Sequence, residues 1–509
     1  MVAKLHSAAF FGIEAIPVEV EVDVARKGFG GVIIVGLPDT AVKESLERVR
    51  SALANSGYKF PRYKTVVNLA PADLRKEGPA FDLPTALGIL LSNGDIVSDL
   101  TGQYLAMGEL ALDGRVRSTK GVLSAALLAR DKGFKGIIVP KDNAPEAGVV
   151  DGLEVIAVTC LTDATGFLTG ALPIEPTVVD RDALFQAQSN YDFDFGEVRG
   201  QESVKRALTI AAAGMHNVLL IGPPGSGKTM LAKRLPTILP PLTLDESLET
   251  TRIHSVSGEL PPGVALLATR PVRNPHHTAS TAALVGGGAV PQPGEVSLAH
   301  YGVLFLDEFP EFSRASLEAL RQPLEDARVS IARAHATVSF PAAFMLIAAM
   351  NPCPCGYFTD PKRECKCSPL QIDKYLSRIS GPLVDRIDIH IEVPAVSFTE
   401  LRSRKDGAAS ATLREAVLSA RERQRVRFAP DTAITNGRMT GKQLRKFCAL
   451  DDAGEMVLRQ AVTELGLSAR AHDKVLRVSR TIADLAGRDD VRSDDIMEAV
   501  QYRRLDRKL

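Results

Sequence analysis

The spacing of hydrophobic positions changes along this chain of 509 residues and divides it into blocks. In residues 1–172, short apolar runs such as 136–140 alternate with segments of helical spacing, which predicts an α/β or α+β domain. Residues 173–190 show little periodicity and are typical of a linker. Residues 191–396 contain short apolar strands. Residues 397–509 are rich in Ala, Arg, Leu and Glu at helical spacing, which predicts a helical lid.

A glycine-rich loop between a strand and a helix is the most informative chemical motif. Apolar residues 217–221 precede it, and residues 230–239 follow with helical spacing. Glycine lets backbone N–H groups approach phosphates closely, while a lysine supplies charge and a threonine hydroxyl reaches magnesium at the positive end of the helix. The motif predicts a nucleoside triphosphatase that binds ATP and Mg²⁺ through Gly222, Pro223, Pro224, Gly225, Ser226, Gly227, Lys228 and Thr229.

Two later strands of the same block end on polar residues. The apolar run 303–306 leads into Asp307 and Glu308, and the run 343–350 leads into Asn351. Ligands collect at the carboxyl ends of buried parallel strands. We therefore expect Asp307 to help hold magnesium, Glu308 to orient and activate the attacking water, and Asn351 to contact the γ-phosphate or that water.

Charge and hydropathy limit the environment of the chain. It carries 61 basic and 61 acidic residues, so no global field attracts nucleic acid and any contact with DNA must be local. No apolar run approaches the roughly 18 residues that span a bilayer, and residues 1–11 lack the apolar core of a signal peptide. We expect a cytoplasmic protein without a membrane partner.

Four of the six cysteines lie within fifteen residues, as two Cys-x-Cys pairs separated by nine residues. In a cytosolic protein this density favours a metal over disulfides, and four thiolates form a closed tetrahedral zinc site without a catalytic position. Reduced thiols or a redox pair are the alternatives. We predict structural Zn²⁺, bracing the region after Asn351, on Cys353, Cys355, Cys365 and Cys367.

The order of these motifs resembles the AAA+ ATPases, with Asn351 at the position called sensor 1. Residues 380–388 look like the arginine-finger segment of the magnesium-chelatase and minichromosome-maintenance branch, and residues 467–472 resemble sensor 2. The resemblance implies that Arg386 acts on the ATP of a neighbouring subunit and that Arg470 contacts phosphate from the lid, within a homo-hexamer. The alternatives are a surface ion pair for Arg386 and a solvated helix position for Arg470.

Further segments extend the resemblance over essentially the whole chain. They include Gly36-Leu-Pro-Asp, Asn274-Pro-His-His-Thr and Leu284-Val-Gly-Gly-Gly. On these segments the chain is identified as a member of the ComM/YifB family of magnesium-chelatase-like competence proteins. The resemblance implies an ATP-driven hexameric DNA helicase that promotes branch migration in natural transformation and meets recombination proteins.

A candidate DNA contact follows from the same resemblance. Residues 329–340 predict a β-hairpin similar to the pre-sensor 1 hairpin of replicative helicases, which carries a basic residue into the central pore. Arg333 falls at that position, with His335 beside it. Six such arginines would contact phosphates of single-stranded or branched DNA with salt-dependent affinity. A cap on an exposed hairpin is the alternative role of Arg333.

The first block resembles the proteolytic domain of Lon proteases, which uses a Ser–Lys dyad. The resemblance lies in residues 108–117 and 133–143. Aligned on these anchors, the dyad positions fall on Ala80 and Leu123, which supply neither nucleophile nor base. Lys120 and Ser124 lie close enough to matter if the alignment slips. We therefore expect a non-catalytic scaffold.

The predicted fold class is α/β, an AAA+ P-loop core with a C-terminal helical lid, preceded by a Lon-protease-like α+β domain. The expected boundaries are 1–172, 173–190, 191–396 and 397–509. The resemblance implies that residues 278–299 are the helix 2 insert of this branch, and a flexible surface loop is the alternative. Two alternatives to a DNA motor stay open: the motor subunit of a metal chelatase, and an ATPase that regulates a partner protein without moving DNA.

Overall fold

The computed structural model describes most of the chain: residues 2–27, 30–181, 184–185, 193–288, 290–332, 337–358, 360, 363–396, 407–431 and 434–503. Arg333 and His335, the predicted DNA contacts, lie outside these ranges. Contacts between residues divide the chain into two units. The N-terminal unit comprises Met1–Gln188 and Thr243–Ala268, and the C-terminal unit comprises Ser189–Leu242 and Thr269–Leu509.

A seven-stranded sheet with strand order β3-β4-β2-β1-β5-β8-β9 forms the centre of the N-terminal unit. Its strands, with the short pair β6 and β7, are β1 (Ala3–Phe11), β2 (Glu14–Val24), β3 (Val32–Val35), β4 (Thr65–Ala70), β5 (Tyr104–Ala106), β6 (Glu109–Leu110), β7 (Val116–Arg117), β8 (Gly136–Pro140) and β9 (Glu154–Val158). Strands β1 and β2 form an antiparallel hairpin, whereas β5, β8 and β9 pair in parallel. Alternate residues of β2, among them Val18, Val20 and Val22, are buried, as expected for a strand with one covered face.

The helices of this unit follow the predicted mixed α+β pattern. Those before residue 173 are α1 (Thr40–Asn55), α2 (Asp82–Asn93), α3 (Val122–Asp131), α4 (Ala144–Ala147) and α5 (Leu161–Thr169). Helix α2 begins at a buried carboxylate, Asp82, whose two oxygens accept hydrogen bonds from Arg48 at 2.7 and 3.1 Å. Burial raises the pKa of Asp82 to about 6 despite this guanidinium.

The C-terminal unit is built on a five-stranded parallel sheet with strand order β11-β14-β17-β10-β18. The strands from residue 193 to 396 are β10 (Val218–Ile221), β11 (Val272–Arg273), β12 (Gly286–Gly287), β13 (Gln292–Pro293), β14 (Val303–Leu306), β15 (Arg328–Ala332), β16 (Thr337–Pro341), β17 (Met345–Met350) and β18 (Ile389–Glu392). The central strands β10, β14 and β17 are buried along their whole length, which explains their continuous apolar sequences.

Helices follow these strands in alternation. They are α6 (Glu202–Gly214), α7 (Lys228–Arg234), α8 (Leu244–Ser257), α9 (Thr281–Val285), α10 (Glu295–Leu298), α11 (Arg314–Ala319), α12 (Arg321–Asp326), α13 (Pro369–Leu376) and α14 (Gly381–Val384). The short elements α9, β12, β13 and α10 occupy the predicted insert at residues 278–299. The alternation of strands and helices around a parallel sheet confirms the predicted α/β class.

The last block is helical, as predicted. Its helices are α15 (Ser410–Phe428), α16 (Gly441–Phe447), α17 (Asp452–Leu465), α18 (Ala469–Leu485) and α19 (Ser493–Gln501). A buried ion pair fastens α18 to the end of the sheet, with 2.6 Å between Lys474 Nζ and Asp388 Oδ1. Within the described residues, no helix has both the length and the apolar character needed to cross a membrane.

One segment departs from the predicted boundaries. The sequence assigns Thr243–Ala268 to the block 191–396, but the segment packs with the N-terminal unit, where α8 lies against α3. The segment is more acidic than the stretches on either side of it, but hydrophobic spacing contains no signal for this exchange.

Candidate active site

The predicted phosphate loop connects β10 to α7 at the carboxyl edge of the sheet. Gly225 and Gly227 have φ angles of +77° and +91°, in the left-handed region that glycine tolerates. A Cβ on Gly222 would lie 2.3 Å from the carbonyl oxygen of Val393, so only glycine fits there. These glycines turn the loop so that α7 begins directly at Lys228.

Lys228 is folded back onto its own loop. Its Nζ donates to the carbonyl oxygens of Gly222 at 2.7 Å and Pro223 at 3.0 Å, and to Asn351 Oδ1 at 3.1 Å. Burial lowers the pKa of Lys228, and Asp307 opposes that change. The phosphates of a nucleotide would supply the negative charge that this buried cation lacks.

Oxygen atoms suited to a hard cation lie next to this lysine. Thr229 Oγ1 donates to Asp307 Oδ2 at 2.7 Å, and the other oxygen of Asp307 accepts the backbone N–H of Glu308 at 2.9 Å. Hydroxyl and carboxylate oxygens are the ligands that Mg²⁺ prefers. Five predicted residues are thus brought together from three elements: Lys228, Thr229, Asp307, Glu308 and Asn351.

The carboxylate of Glu308 has a partner that was not predicted. Glu308 Oε2 lies 2.9 Å from His277 Nδ1, and the ring of His276 packs on that of His277 with 4.1 Å between centroids. Strand β11 pairs in parallel with β14, so residues following the two strands meet at one edge of the sheet. The position of Asn274-Pro-His-His-Thr directly after β11 is the signal that places its histidines at this edge.

Gln201 is a second residue that the sequence analysis missed. It precedes α6 with a φ of 55°, and its Nε2 donates to the carbonyl oxygen of Ser226 at 2.7 Å and of Pro394 at 3.1 Å. The side chain therefore holds the phosphate loop from behind. No motif surrounds Gln201, so only the fold reveals it.

The two predicted arginines meet at one glutamate. Arg386 Nη2 lies 2.6 Å from Glu325 Oε1, and Arg470 Nη2 lies 3.5 Å from the same oxygen. Arg386 Nη1 also donates to the carbonyl oxygen of Pro382 at 2.6 Å. Among the described residues, neither arginine forms a hydrogen bond or ion pair with residues 222–229 of its own chain.

The four clustered cysteines converge directly after Asn351. Their sulfur atoms all lie within 4.8 Å of one another, and Cys353 Sγ is 3.4 Å from Cys355 Sγ and 3.7 Å from Cys365 Sγ, with Cys367 completing the set. A tetrahedral site with Zn–S bonds of about 2.3 Å requires sulfur atoms about 3.8 Å apart. The donor set and its spacing therefore fit a tetrahedral thiolate-bound metal.

Local structure favours the thiolate form of Cys355, whereas burial and the neighbouring thiols raise the pKa of Cys365 to about 12 and raise that of Cys367. The backbone N–H groups of Tyr357 and Lys366 lower the pKa of the Cys355 thiol to about 6. A Cβ on Gly356, which has a φ of +84°, would lie 2.5 Å from Pro224 Cδ. The turn that carries the cysteines thus packs closely against the loop that carries Lys228.

Three family models match consecutive parts of the chain. The model described as magnesium chelatase, subunit ChlI matches residues 194–401, its C-terminal model matches residues 407–503, and a model of subunit ChlI of Mg-chelatase matches residues 20–143. The competence protein ComM of Haemophilus influenzae is 45% identical over 511 residues, covering 100% of this chain and 98% of the relative. The chain belongs to the ComM/YifB family.

Two other relatives support this assignment, one over nearly the whole chain and one over part of it. The YifB protein of Escherichia coli is 44% identical, covering 99% of this chain and 97% of its own length. Lon protease 2 of Bacillus subtilis is 31% identical over 157 residues, 28% of each chain. The predicted family and fold class are thereby confirmed: a magnesium-chelatase-like AAA+ unit with a helical C-terminal domain and a partial likeness to Lon proteases.

In this ComM/YifB chain the positions aligned with the Lon dyad are apolar and buried. Ala80 and Leu123 belong to one hydrophobic cluster. The neighbouring polar residues are engaged elsewhere, since Ser124 Oγ donates to the carbonyl oxygen of Ile13 at 2.8 Å and Lys120 Nζ to that of Ser257 at 3.0 Å. Neither residue is paired with the other as a nucleophile and its base would be.

The predicted hairpin is present up to the limits of the described residues. Strands β15 and β16 pair antiparallel from Arg328 opposite Pro341 to Ala332 opposite Thr337. Arg333 and His335 fall between these last partners, outside the described residues. Their contact with DNA stays a prediction.

Proposed function

We propose that this protein is an ATP-driven hexameric DNA helicase that promotes branch migration of recombination intermediates during natural transformation. The observation that carries the proposal is the full-length match to a relative named as a competence protein. The family also implies an ATPase that uses ATP and Mg²⁺. Each further step rests on named residues of the site.

Nucleotide binding begins at Lys228. Its ammonium group leaves the carbonyl oxygens of Gly222 and Pro223 and binds the outer phosphates, which restore the charge balance that burial disturbs. Thr229 and Asp307 would hold Mg²⁺, which when bound neutralises charge on the transferring phosphate.

Water activation falls to residues at the neighbouring strand ends. Glu308 orients the attacking water and takes up its proton, and Asn351 positions the γ-phosphate or that water. Glu308 can do so only after its carboxylate leaves His277, since one oxygen is held at 2.9 Å. His277 therefore positions the base between turnovers.

Assembly supplies the remaining charge. Arg386 is held by Glu325 and Pro382 of its own chain, and among the described residues it has no hydrogen bond or ion pair with its own phosphate loop, as expected for a finger that serves a neighbour. Arg470 shares the same glutamate and belongs to the lid. A ring of identical subunits, six in this proposal, places each finger at the next subunit's ATP.

The hairpin of β15 and β16 is the proposed DNA contact. Arg333 and His335 follow β15 in sequence, and a ring would repeat them around one nucleic acid strand. Because the chain has no net charge, the salt dependence of binding reports on such local contacts.

We also infer that the four-cysteine cluster holds structural zinc. A closed set of four thiolates leaves no position for substrate, so the metal acts through the fold. Its contact with Pro224 through Gly356 indicates what it stabilises, namely the strand end at Asn351 and the phosphate loop beside it.

The decisive experiment mixes purified protein, ATP and Mg²⁺ with a fluorescent mobile four-way junction at moderate salt. We expect ATP-dependent conversion of the junction into two duplexes. Neither Lys228→Ala nor Arg333→Ala should convert the junction. Arg425→Ala, which changes an exposed lid arginine paired with Glu422, is the matched control. Protein that hydrolyses ATP but neither binds nor moves the junction would refute the DNA motor.

One observation favours a second candidate. The matching models are named for magnesium chelatase, and the 67 kDa magnesium-chelatase subunit of Heliobacterium mobile is 24% identical over 233 residues. A motor of that type would act on a partner protein, and its ATP hydrolysis would be indifferent to junction DNA.

A further inference from the structure

We propose that Thr243–Ala268 is a coupling segment that transmits the nucleotide state of the ATP site to the N-terminal unit. The segment docks where a Lon-like domain would carry its catalytic dyad, and Arg270 ties its two ends to the strand that bears Asp307. The inference rests on the proposed ATP site and not on the proposed action on DNA.

Polar contacts fix α8 to the N-terminal unit. Ser255 Oγ donates to Glu146 Oε2 at 2.6 Å, and the backbone carbonyl of Ser255 accepts the N–H of Gly121 at 3.1 Å. Glu146 is only 4% exposed, and its other oxygen accepts from Asn143 Nδ2 at 2.6 Å. A buried carboxylate with a full set of donors is costly to expose, so this end of the helix is firmly held.

A second group of contacts lies one turn earlier in α8. Arg252 Nη2 is 2.9 Å from Glu14 Oε2 and 3.3 Å from the carbonyl oxygen of Ile13, and Arg252 Nε donates to Ser124 Oγ at 3.4 Å. Ser124 and Lys120 are the two polar residues next to the dyad positions, and both are bonded to this segment.

The hydrophobic part of the segment belongs to the same core as the dyad positions. Ala265 and Leu266 belong to the same buried cluster as Ala80 and Leu123. Where a protease of this type would have a nucleophile and a base facing a peptide, this domain has apolar residues buried with those of the segment.

Both ends of the segment connect to elements that carry residues of the ATP site. The chain leaves the C-terminal unit a few residues after α7, the helix that starts at Lys228, and returns just before β11. Buried Arg270 donates to the carbonyl oxygens of Pro240 at 2.7 Å, Pro241 at 3.2 Å and Tyr301 at 2.6 Å.

This arginine joins three stretches of backbone that must move together. Tyr301 stands two residues before β14, whose other end carries Asp307. A shift of α7 or β14 on nucleotide binding therefore pulls on both ends of the segment, and through α8 on the residues around Glu146. Arg270 is a positioning residue in this scheme and touches no nucleotide.

Hydrogen exchange measured by mass spectrometry on the full-length protein, with Mg²⁺ and a non-hydrolysable ATP analogue and without DNA, tests the coupling. In the wild type we expect the analogue to slow exchange in residues 222–235 and, by a factor of about 5 or more, in residues 118–127. Arg270→Lys keeps the charge but loses the planar group that donates to three carbonyl oxygens. In this variant the analogue should slow exchange in residues 118–127 by less than about twofold, while residues 222–235 stay protected. Arg130→Lys, at an exposed arginine of α3, should behave as wild type.

Two results would overturn the coupling. One is wild-type protein in which 222–235 is protected but 118–127 does not respond, and the other is Arg270→Lys with the full response. Ser255→Ala removes a docking bond far from Arg270 and should reduce the response too, so the test holds if Arg270→Lys fails to fold. Absence of protection at 222–235 would instead refute the ATP site, and the coupling with it.

Discussion

Replacement of Arg386 by alanine tests whether the ATP site is shared between subunits. Its guanidinium is held by Glu325 Oε1 at 2.6 Å and by the carbonyl oxygen of Pro382 at 2.6 Å, and its side chain is 11% exposed. An arginine finger contributes a factor of about 10³ or more to kcat, equivalent to about 4 kcal/mol of transition-state stabilisation. We expect Arg386→Ala to lower kcat by that factor, with the KM for ATP changed by less than about threefold.

Mixing two inactive variants separates a finger in trans from one in cis. A ring with equal amounts of Arg386→Ala and Lys228→Ala subunits regains an intact site wherever the first type receives the finger of the second. Random assembly gives this pairing at about a quarter of the interfaces, because each side has the required subunit half of the time. We therefore expect about a quarter of wild-type phosphate release after co-refolding or co-expression.

A finger in cis predicts a different result for the mixture. If Arg386 served the ATP of its own chain, every subunit of the mixture would lack one required group, and the mixture would stay as inactive as its components. Activity below about a twentieth of wild type, in rings shown by sedimentation to contain both variants, would refute the shared site. Rings of Arg386→Ala mixed with wild type provide the dilution control.

Four further predictions concern regulation, metal, stability and pH dependence. His277→Ala should raise unstimulated phosphate release several-fold by freeing the carboxylate it holds, and an unchanged kcat would contradict its positioning role. Cys365→Ser should lose the zinc detected by elemental analysis and lower the Tm, whereas Cys160→Ser, outside the cluster, should retain both. Lys474→Met should cost about 3–5 kcal/mol in urea unfolding because it leaves a buried carboxylate unpaired. Burial lowers the pKa of His216 to about 4, below its unfolded value, so the unfolded state binds more protons at this residue and its contribution to stability should rise from pH 4 to pH 6.5. Because the raised pKa of Asp82 contributes the opposite slope, the measurement is the difference between urea titrations of the wild type and of His216→Asn at each pH.

Sequence reasoning locates the parts of the site that topology brings together automatically. Parallel strands end at one edge of a sheet, so Asp307, Glu308 and Asn351 must meet near a loop that follows β10. The short spacing of the cysteines similarly forces their convergence, because local chain geometry leaves few other arrangements. Predictions of this kind depend on sequence separation or on the shared edge of parallel strands, and both follow from the order of motifs along the chain.

Contacts made across the fold leave no such trace. Glu325 is one acidic residue among many, yet it binds both Arg386 and Arg470. Thr243–Ala268 lies in sequence between two parts of the C-terminal unit but packs with the N-terminal unit. Three-dimensional packing decides which residues contact each other in these cases. A single sequence contains no local pattern that reveals such contacts.

Each group that the proposed reaction needs is already occupied in this structure. Lys228 is bonded to loop carbonyls, Glu308 is held by His277, and Arg386 is held by Glu325. Each bond is worth little alone, about 0.5–3 kcal/mol, but all must exchange partners before phosphate transfer. Nucleotide can displace only the first, since the finger must reach another subunit and the base must leave its histidine. Hydrolysis by an isolated chain is therefore expected to be slow for structural reasons. A neighbouring subunit or DNA would accelerate hydrolysis to the extent that it binds more tightly to the conformation in which these bonds have changed partners.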